Sequence, residues 1–296
     1  MKPSFRITFA ALAVVALSTG ARAAGDLPTK FSNIGSVANT RHNMTQRQAS
    51  GGPSGAVMDT YRSDYGEVCV YCHTPHGASD VALPLWNRTI KATTYTTYTS
   101  VSMTQPIAQP GISSLACLSC HDGQVAIDSI INMPGSGRYN AGQATGTSEE
   151  FLNTWTNAGS GPYAHLTLTE CMACHSSDAG AVLGAGSTDF KAFLIGTDLR
   201  DDHPVGVRYP AIGPNVDFRE LTATSGGLKF FDSNGNGRPD KQEVRVIDSG
   251  NGHQVECSSC HDPHGVPSGG AMSPFNGSFL RVTGAGSAIC LTCHSK

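Results

Sequence analysis

Apolar positions along this chain come in short runs. The longest lies at residues 7–19, from Ile7 through Ala10, Val14, Val15 and Leu17. Lys2 and Arg6 precede it and Ala21-Arg22-Ala23 follows, a small-x-small cleavage pattern, so residues 1–23 read as a secretory signal peptide and the mature chain as starting near Ala24. The run is too short to span a bilayer comfortably, and no other stretch is apolar enough to cross one. No membrane span is expected after cleavage. Further along, residues 228–231 and 244–247 look extended. The Gly-, Ser- and Thr-rich stretches at 93–104 and 141–148 read as loops or short strands.

Composition sharpens this picture. Only 39% of the chain is hydrophobic, and 34 Gly with 16 Pro make it loop-rich. Such a polypeptide is a poor core builder, and something other than aliphatic side chains should supply apolar bulk. The net charge of -3 becomes -6 once Lys2, Arg6 and Arg22 are removed with the signal peptide. There is no basic patch of the kind nucleic acid requires.

All ten cysteines fall in Cys-x-x-Cys pairs: Cys69/Cys72, Cys117/Cys120, Cys171/Cys174, Cys257/Cys260 and Cys290/Cys293. A histidine follows each pair at once: His73, His121, His175, His261 and His294. This is the attachment pattern of c-type haem. Two thiols add across the two vinyl groups of one porphyrin, and the adjacent histidine is held under the iron as proximal ligand. Disulfides would leave the five histidines unexplained. Zinc would need four ligands gathered from scattered pairs. The pattern predicts five haem c groups.

Six histidines remain: His42, His76, His165, His203, His253 and His264. Five irons with histidine on both faces need five distal ligands, so bis-histidine ligation is expected. His76 follows His73 by three residues, and His264 follows His261 by three. One iron cannot easily take both members of such a pair, because its axial ligands lie on opposite faces. The two histidines of each pair should serve different haems, and a three-residue spacing of at most roughly 11 Å keeps those irons close. Between His165 and His253 the former is preferred as ligand. His253 sits in the Gly-Asn-Gly turn four residues before Cys257 and is taken as the spare.

The motifs are separated by 48, 54, 86 and 33 residues, with no fixed repeat period. The expected fold class is mostly irregular and loop-rich, with short helices at the haem motifs and a few short strands, the polypeptide wrapped around a haem stack. Residues 24–296 form one pentahaem cytochrome c domain, opening with an N-terminal arm at about 24–60.

The longest interval holds a second signal. Residues 232–243 match a twelve-residue calcium loop, with oxygen ligands expected from Asp232, Asn234, Asn236, Asp240 and Glu243, the backbone carbonyl of Arg238, and Gly237 at the sharp turn. One structural Ca2+ is the expectation. An Asn-Gly turn between strands is the alternative.

Several segments resemble the multihaem cytochromes exported by metal-reducing bacteria, some of which polymerise into extracellular cytochrome filaments. They are Cys-Val-Tyr-Cys-His-Thr-Pro-His-Gly at 69–77, Leu-Pro-Leu-Trp-Asn-Arg at 83–88, Cys-Leu-Ser-Cys-His-Asp-Gly at 117–123, Asp-His-Pro-Val-Gly at 202–206 and Cys-Ser-Ser-Cys-His-Asp-Pro-His-Gly at 257–265. The resemblance implies that His203 is a distal ligand. It implies the same of His42 in Arg41-His42-Asn43-Met44, which in filament-forming members can be donated by a neighbouring subunit.

The expected function is electron transfer without catalysis, at the cell surface or outside the cell, with the periplasm as the alternative location. Redox partner proteins or extracellular acceptors are the expected partners. Two other readings are a subunit docked to an outer-membrane electron conduit and a multihaem reductase of small nitrogen or sulfur oxyanions. The reductase needs an iron with an open position, and no altered Cys-x-x-Cys-Lys motif is present to provide one. Assembly is left between two forms. The polar arm carrying His42 reaches a neighbour in a head-to-tail homopolymer, or it folds back on its own chain.

Overall fold

The computed structural model describes residues 37–40, 42–44, 67–125, 130–132, 195–213, 216–266 and 279–295. The expected signal peptide, most of the arm, His165 and the third motif (Cys171, Cys174, His175) lie outside the described residues.

Regular elements are brief, and three helices coincide with cysteine motifs. Helix α1 (Ile112–His121) carries Cys117, Cys120 and His121. Helix α2 (Cys257–Cys260) and helix α3 (Ala288–Cys293) carry the fourth and fifth motifs, with His261 and His294 as their C-caps. The first motif is a single turn: the backbone N–H groups of Cys72 and His73 both donate to the carbonyl of Cys69, at 3.1 and 2.8 Å.

Strand β1 (Thr96–Thr97) pairs in parallel with β2 (Asp198–Leu199). The main sheet is antiparallel and contains β3 (Val207–Arg208), β4 (Ala223–Ser225), β5 (Leu228–Phe230), β6 (Arg245–Asp248) and β7 (His253–Val255). Its order is β3-β7-β6-β5-β4. Gly226 and Gly227 make the two-residue turn between β4 and β5, and Gly226 takes a φ of 56°, as tight hairpins require. Phe230 and Val246 are both buried and Lys229 is exposed; Val246 lies directly opposite Lys229 and Phe230 opposite Arg245, so the two buried side chains are on opposite faces of the sheet. The two ends of the 232–243 loop feed β5 and β6.

Apolar cores are small. Val70, Tyr71 and Ile130 form one cluster, joined by Met44 and Cys72. Tyr95, Leu118 and Leu199 form another, with Leu115, Ile195 and Val205 against it. In the arm, Met44 packs against the cluster of Val70, Tyr71 and Ile130.

Polar clamps do much of the remaining work. Glu256, 1% exposed, is the N-cap of α2, and its backbone N–H donates to Ser259 Oγ at 2.9 Å. Its carboxylate also caps α1 from outside: the N–H of Gly111 donates to both carboxylate oxygens at 3.1 Å, and the Ser114 hydroxyl donates to one of them. A carboxylate is the group that a helix N-terminus favours. A Cβ on Gly111 would collide with Ser249 and Glu256, so glycine is required for this approach. One buried side chain thereby joins the second motif to the fourth.

Candidate haem sites

The eight cysteines of motifs one, two, four and five are all free thiols. Burial pushes Cys72 up to about 12, with the neighbouring Cys120 adding to it. Burial likewise raises Cys260 to about 11 and Cys293 to about 12. The thiol of Cys117 donates to that of Cys257, which raises the first and lowers the second. Cys117 meets Cys257, joining the second and fourth motifs, and the cysteines of the first and second motifs, and of the fourth and fifth, lie near enough to raise one another's thiols.

Three motifs are bracketed by the same backbone device. Beside the first motif, His73 makes an antiparallel bridge with Trp86, Thr74 N–H donates to Leu85 O at 2.9 Å, and Asn87 N–H to Cys72 O at 2.9 Å. Beside the fourth, His261 bridges Leu280, Asp262 N–H donates to Phe279 O at 3.0 Å, and Arg281 N–H to Cys260 O at 2.7 Å. Beside the fifth, His294 bridges Phe218, Ser295 N–H donates to Asp217 O at 3.1 Å, and Arg219 N–H to Cys293 O at 2.8 Å. Each bracket fixes the backbone of the residue after the second cysteine, which is the histidine that would meet an iron.

The brackets also reach further. Asn87 donates to Val70 O at 2.7 Å, closing the first motif, while the buried Arg88 donates to Ser119 O at 2.7 Å inside the second. Arg281, equally buried, donates to Ser258 O at 3.0 Å inside the fourth. In both cases a guanidinium holds the carbonyl of a residue lying between two cysteines.

The imidazoles share one feature. The Nδ1 of His73 meets Pro84 O at 2.8 Å, that of His42 meets Pro263 O at 3.1 Å, and that of His203 meets Pro204 O at 3.1 Å. The Nδ1 of His264 meets Asp262 Oδ1 at 3.0 Å. An Nδ1 tied to a carbonyl or carboxylate fixes the tautomer and leaves Nε2 as the free nitrogen, which is the outer-shell arrangement of metal-binding histidines. Rings meet in pairs as well. His73 and His264 have centroids 6.2 Å apart and planes 10° apart. His42 and His121 also have centroids 6.2 Å apart, with planes at 70°. Phe279 stacks on His42 at 4.4 Å. Burial, then the neighbouring His121, push His42 down to about 4, so its ring stays neutral and its lone pair available. Burial and the charge of nearby His203 lower His294 in the same sense.

The residues fit haem c. They supply free paired thiols, a backbone-fixed histidine after each pair, and neutral imidazoles with Nδ1 already engaged. The indole N–H of Trp86, buried edge-on to His73, has no acceptor in the described chain and is a donor available to a carboxylate of a bound group. Bound haem supplies redox-active iron and apolar mass.

The other expected residues are placed as follows. His76 is exposed; its carbonyl accepts from Thr74 Oγ1 at 2.9 Å and from Asn132 Nδ2 at 2.5 Å. His253 begins β7, opposite Asp248. In the 232–243 loop, Asp232 accepts the N–H groups of Gly235, Asn236 and Gly237, and Asp240 Oδ2 accepts the side-chain amides of Asn234 and Asn236 at 2.7 and 2.8 Å. Glu243 is buried and accepts from Ser233 and from Asp240 N–H, while Arg238 N–H donates to Asn236 Oδ1. Among the described residues no three His, Cys, Asp or Glu side chains come together as a metal-holding group. Arg88, Arg281 and Glu256 were missed by the sequence reading. The Leu-Pro-Leu-Trp-Asn-Arg segment was the available signal for Arg88.

A family model described as a doubled CXXCH motif matches residues 251–296, which contain the fourth and fifth motifs. No curated protein is matched. Paired motifs of this kind are sites of covalent haem c attachment, and they fit a multihaem c-type cytochrome in electron transfer. Among the described residues no helix is long and apolar enough to cross a membrane.

Proposed function

We propose that this chain is an exported pentahaem c-type cytochrome whose polypeptide wraps a stack of five haems and passes electrons along it. The observation that carries this reading is the gathering of four Cys-x-x-Cys-His motifs, far apart in sequence, with the Cys117 and Cys257 thiols in contact and three histidines held by one backbone device. Neighbouring motifs bring neighbouring haems within short tunnelling range. All ten cysteines, Cys171 and Cys174 included, attach haem, and His175 serves the third iron. His42, His76, His165, His203 and His264 are the distal ligands. Pyridine haemochrome quantitation of the mature protein should give five haems per chain, and three or fewer would overturn the count.

Calcium in the 232–243 loop belongs to the same proposal. Glu243 already accepts hydrogen bonds from the loop backbone, so Glu243→Ala lowers stability with or without the ion. The discriminating measurement is the calcium dependence of wild-type melting together with elemental analysis. Absence of both reduces the loop to a turn.

The protein acts at the cell surface, outside the cell or in the periplasm, handing electrons to redox partners, to extracellular acceptors or to an outer-membrane conduit. The contact of His42 with His121 of its own chain favours the folded-back arm. A head-to-tail homopolymer, with His42 crossing to a neighbour, is the alternative. Negative-stain microscopy separates a monodisperse monomer from filaments.

A further inference from the structure

We infer that His73 and His264 are the two axial ligands of one iron, the haem attached at Cys69 and Cys72, and that His121 and His42 are those of the haem attached at Cys117 and Cys120. This deepens the haem reading above and rests on it. The argument begins with distance. Imidazoles on opposite faces of one iron, each nitrogen about 2 Å from the metal, have ring centroids roughly 6 Å apart. Both ring pairs stand at 6.2 Å.

Orientation supports the same assignment. Three of the four rings have Nδ1 tied to an oxygen: His73 to Pro84, His264 to Asp262 and His42 to Pro263. Each therefore keeps Nε2 for the iron. The tether of His264 is local, two residues back, whereas His73 and His42 are tied to residues 11 and 221 positions away. His73 and His264 are 191 residues apart, and the meeting of their near-parallel rings is a product of tertiary structure. The tetrapeptide His261-Asp262-Pro263-His264 thus becomes a junction. His261 serves its own haem, Asp262 orients the distal ligand of the first haem, and Pro263 orients the distal ligand of the second. Three of the five haems meet on four residues, which ties their irons into one conducting cluster and explains why the arm residue His42 docks where it does.

The two irons are distinguishable. Imidazoles with parallel planes split the two iron dπ orbitals and give a rhombic low-spin EPR signal. Near-perpendicular imidazoles leave those orbitals almost degenerate and give a signal with a large maximal g value. The angles of 10° and 70° assign the first type to the His73/His264 iron and the second to the His42/His121 iron.

The test uses mature holoprotein. His264→Ala should keep five haems by pyridine haemochrome, convert one iron to high spin and remove a rhombic signal. His42→Ala should also convert one iron, but remove a large-g signal. In a Cys69→Ala/Cys72→Ala background, which lacks the first haem, adding His264→Ala should open no further iron. If it opens one, His264 serves a different haem and the pairing is wrong, although the haem reading stands. If that background does not mature, the five-haem variants still decide: loss of a large-g signal on His264→Ala, or no new high-spin iron, overturns the assignment. A haemochrome value near zero in wild type overturns the haem reading itself.

Discussion

The segments at 69–77 and 257–265 spell the same pattern, Cys-x-x-Cys-His-x-Pro-His-Gly, and the chain brackets them the same way. Each bracket opens on a bulky residue with positive φ, Leu85 at 52° and Phe279 at 62°, a conformation that side chains rarely adopt and that marks a backbone held from outside. Each segment ends on a positive-φ glycine, Gly77 at 64° and Gly265 at 88°. The difference lies in the residue after the proximal histidine. Thr74 spends its hydroxyl on the backbone carbonyl of His76 and leaves that ring exposed. Asp262 accepts both the N–H and the ring Nδ1 of His264, each at 3.0 Å. Burial alone would raise the Asp262 carboxyl. The hydrogen bonds from His264 and the charge of Arg281, 3.3 Å away, bring it down to about 2 instead. One carboxylate in place of one hydroxyl gives the second ring of the fourth motif a tether at Nδ1.

Breaking the brackets should have the largest effect. Arg281→Ala removes a buried cation from Asp262 and from the carbonyls of Ser258 and Lys241. It should cost about 3–5 kcal/mol in urea unfolding of the holoprotein. Arg88→Ala releases the Ser119 hydroxyl and carbonyl and should cost less, about 1.5–3 kcal/mol. Equal losses would mean that the ion pair adds nothing to the fourth motif.

Exchanging the distinguishing residue sharpens the comparison. Asp262→Thr makes the fourth motif resemble the first and should ease displacement of His264 by cyanide by about 10-fold or more. Thr74→Asp should leave cyanide binding at the His73 iron unchanged. No effect of Asp262→Thr would show that the carboxylate does not position the ring.

A smaller effect concerns pH. Burial pushes the Glu256 carboxyl above its usual range, against hydrogen bonds from Ser114, Ser249 and Gly111. A carboxyl raised in the folded state contributes stability that is full below its unfolded pKa of about 4.3 and lost as pH rises through the folded value. Glu256→Gln stays neutral. The stability of wild type minus that of Glu256→Gln should therefore fall as pH increases from about 4 to about 7, measured by urea midpoints at fixed salt. A flat difference would mean that the hydrogen bonds cancel the burial. His76→Ala should leave the rhombic and large-g signals of the two assigned irons in place and open a different iron.

Much of the local chemistry was legible in the sequence because it needs only contiguous residues. Two thiols and a histidine within five positions define an attachment site whatever surrounds them. The extended residues on either side of the 232–243 loop were legible from alternation, and they are β5 and β6. The polar clamps were not legible. Arg88, Arg281 and Glu256 are types that pattern reading assigns to the surface, and only partners distant in sequence, such as Ser119, Asp262 and Gly111, make their burial tolerable.

What the sequence determined by itself was therefore the number and position of thiol–histidine sites and the supply of histidines to complete them. Which histidine faces which was decided by tertiary structure. Six spare histidines are equivalent as letters, and His76 and His264 even share their flanking residues. They become different because axial pairing is a long-range contact. It depends on where the backbone brackets place each motif and on which carbonyl or carboxylate takes the outward nitrogen. Pro84 does this for His73, Pro263 for His42 and Asp262 for His264. A spacing rule reaches only a few residues along the chain, whereas these rings meet across 79 to 191 residues of it.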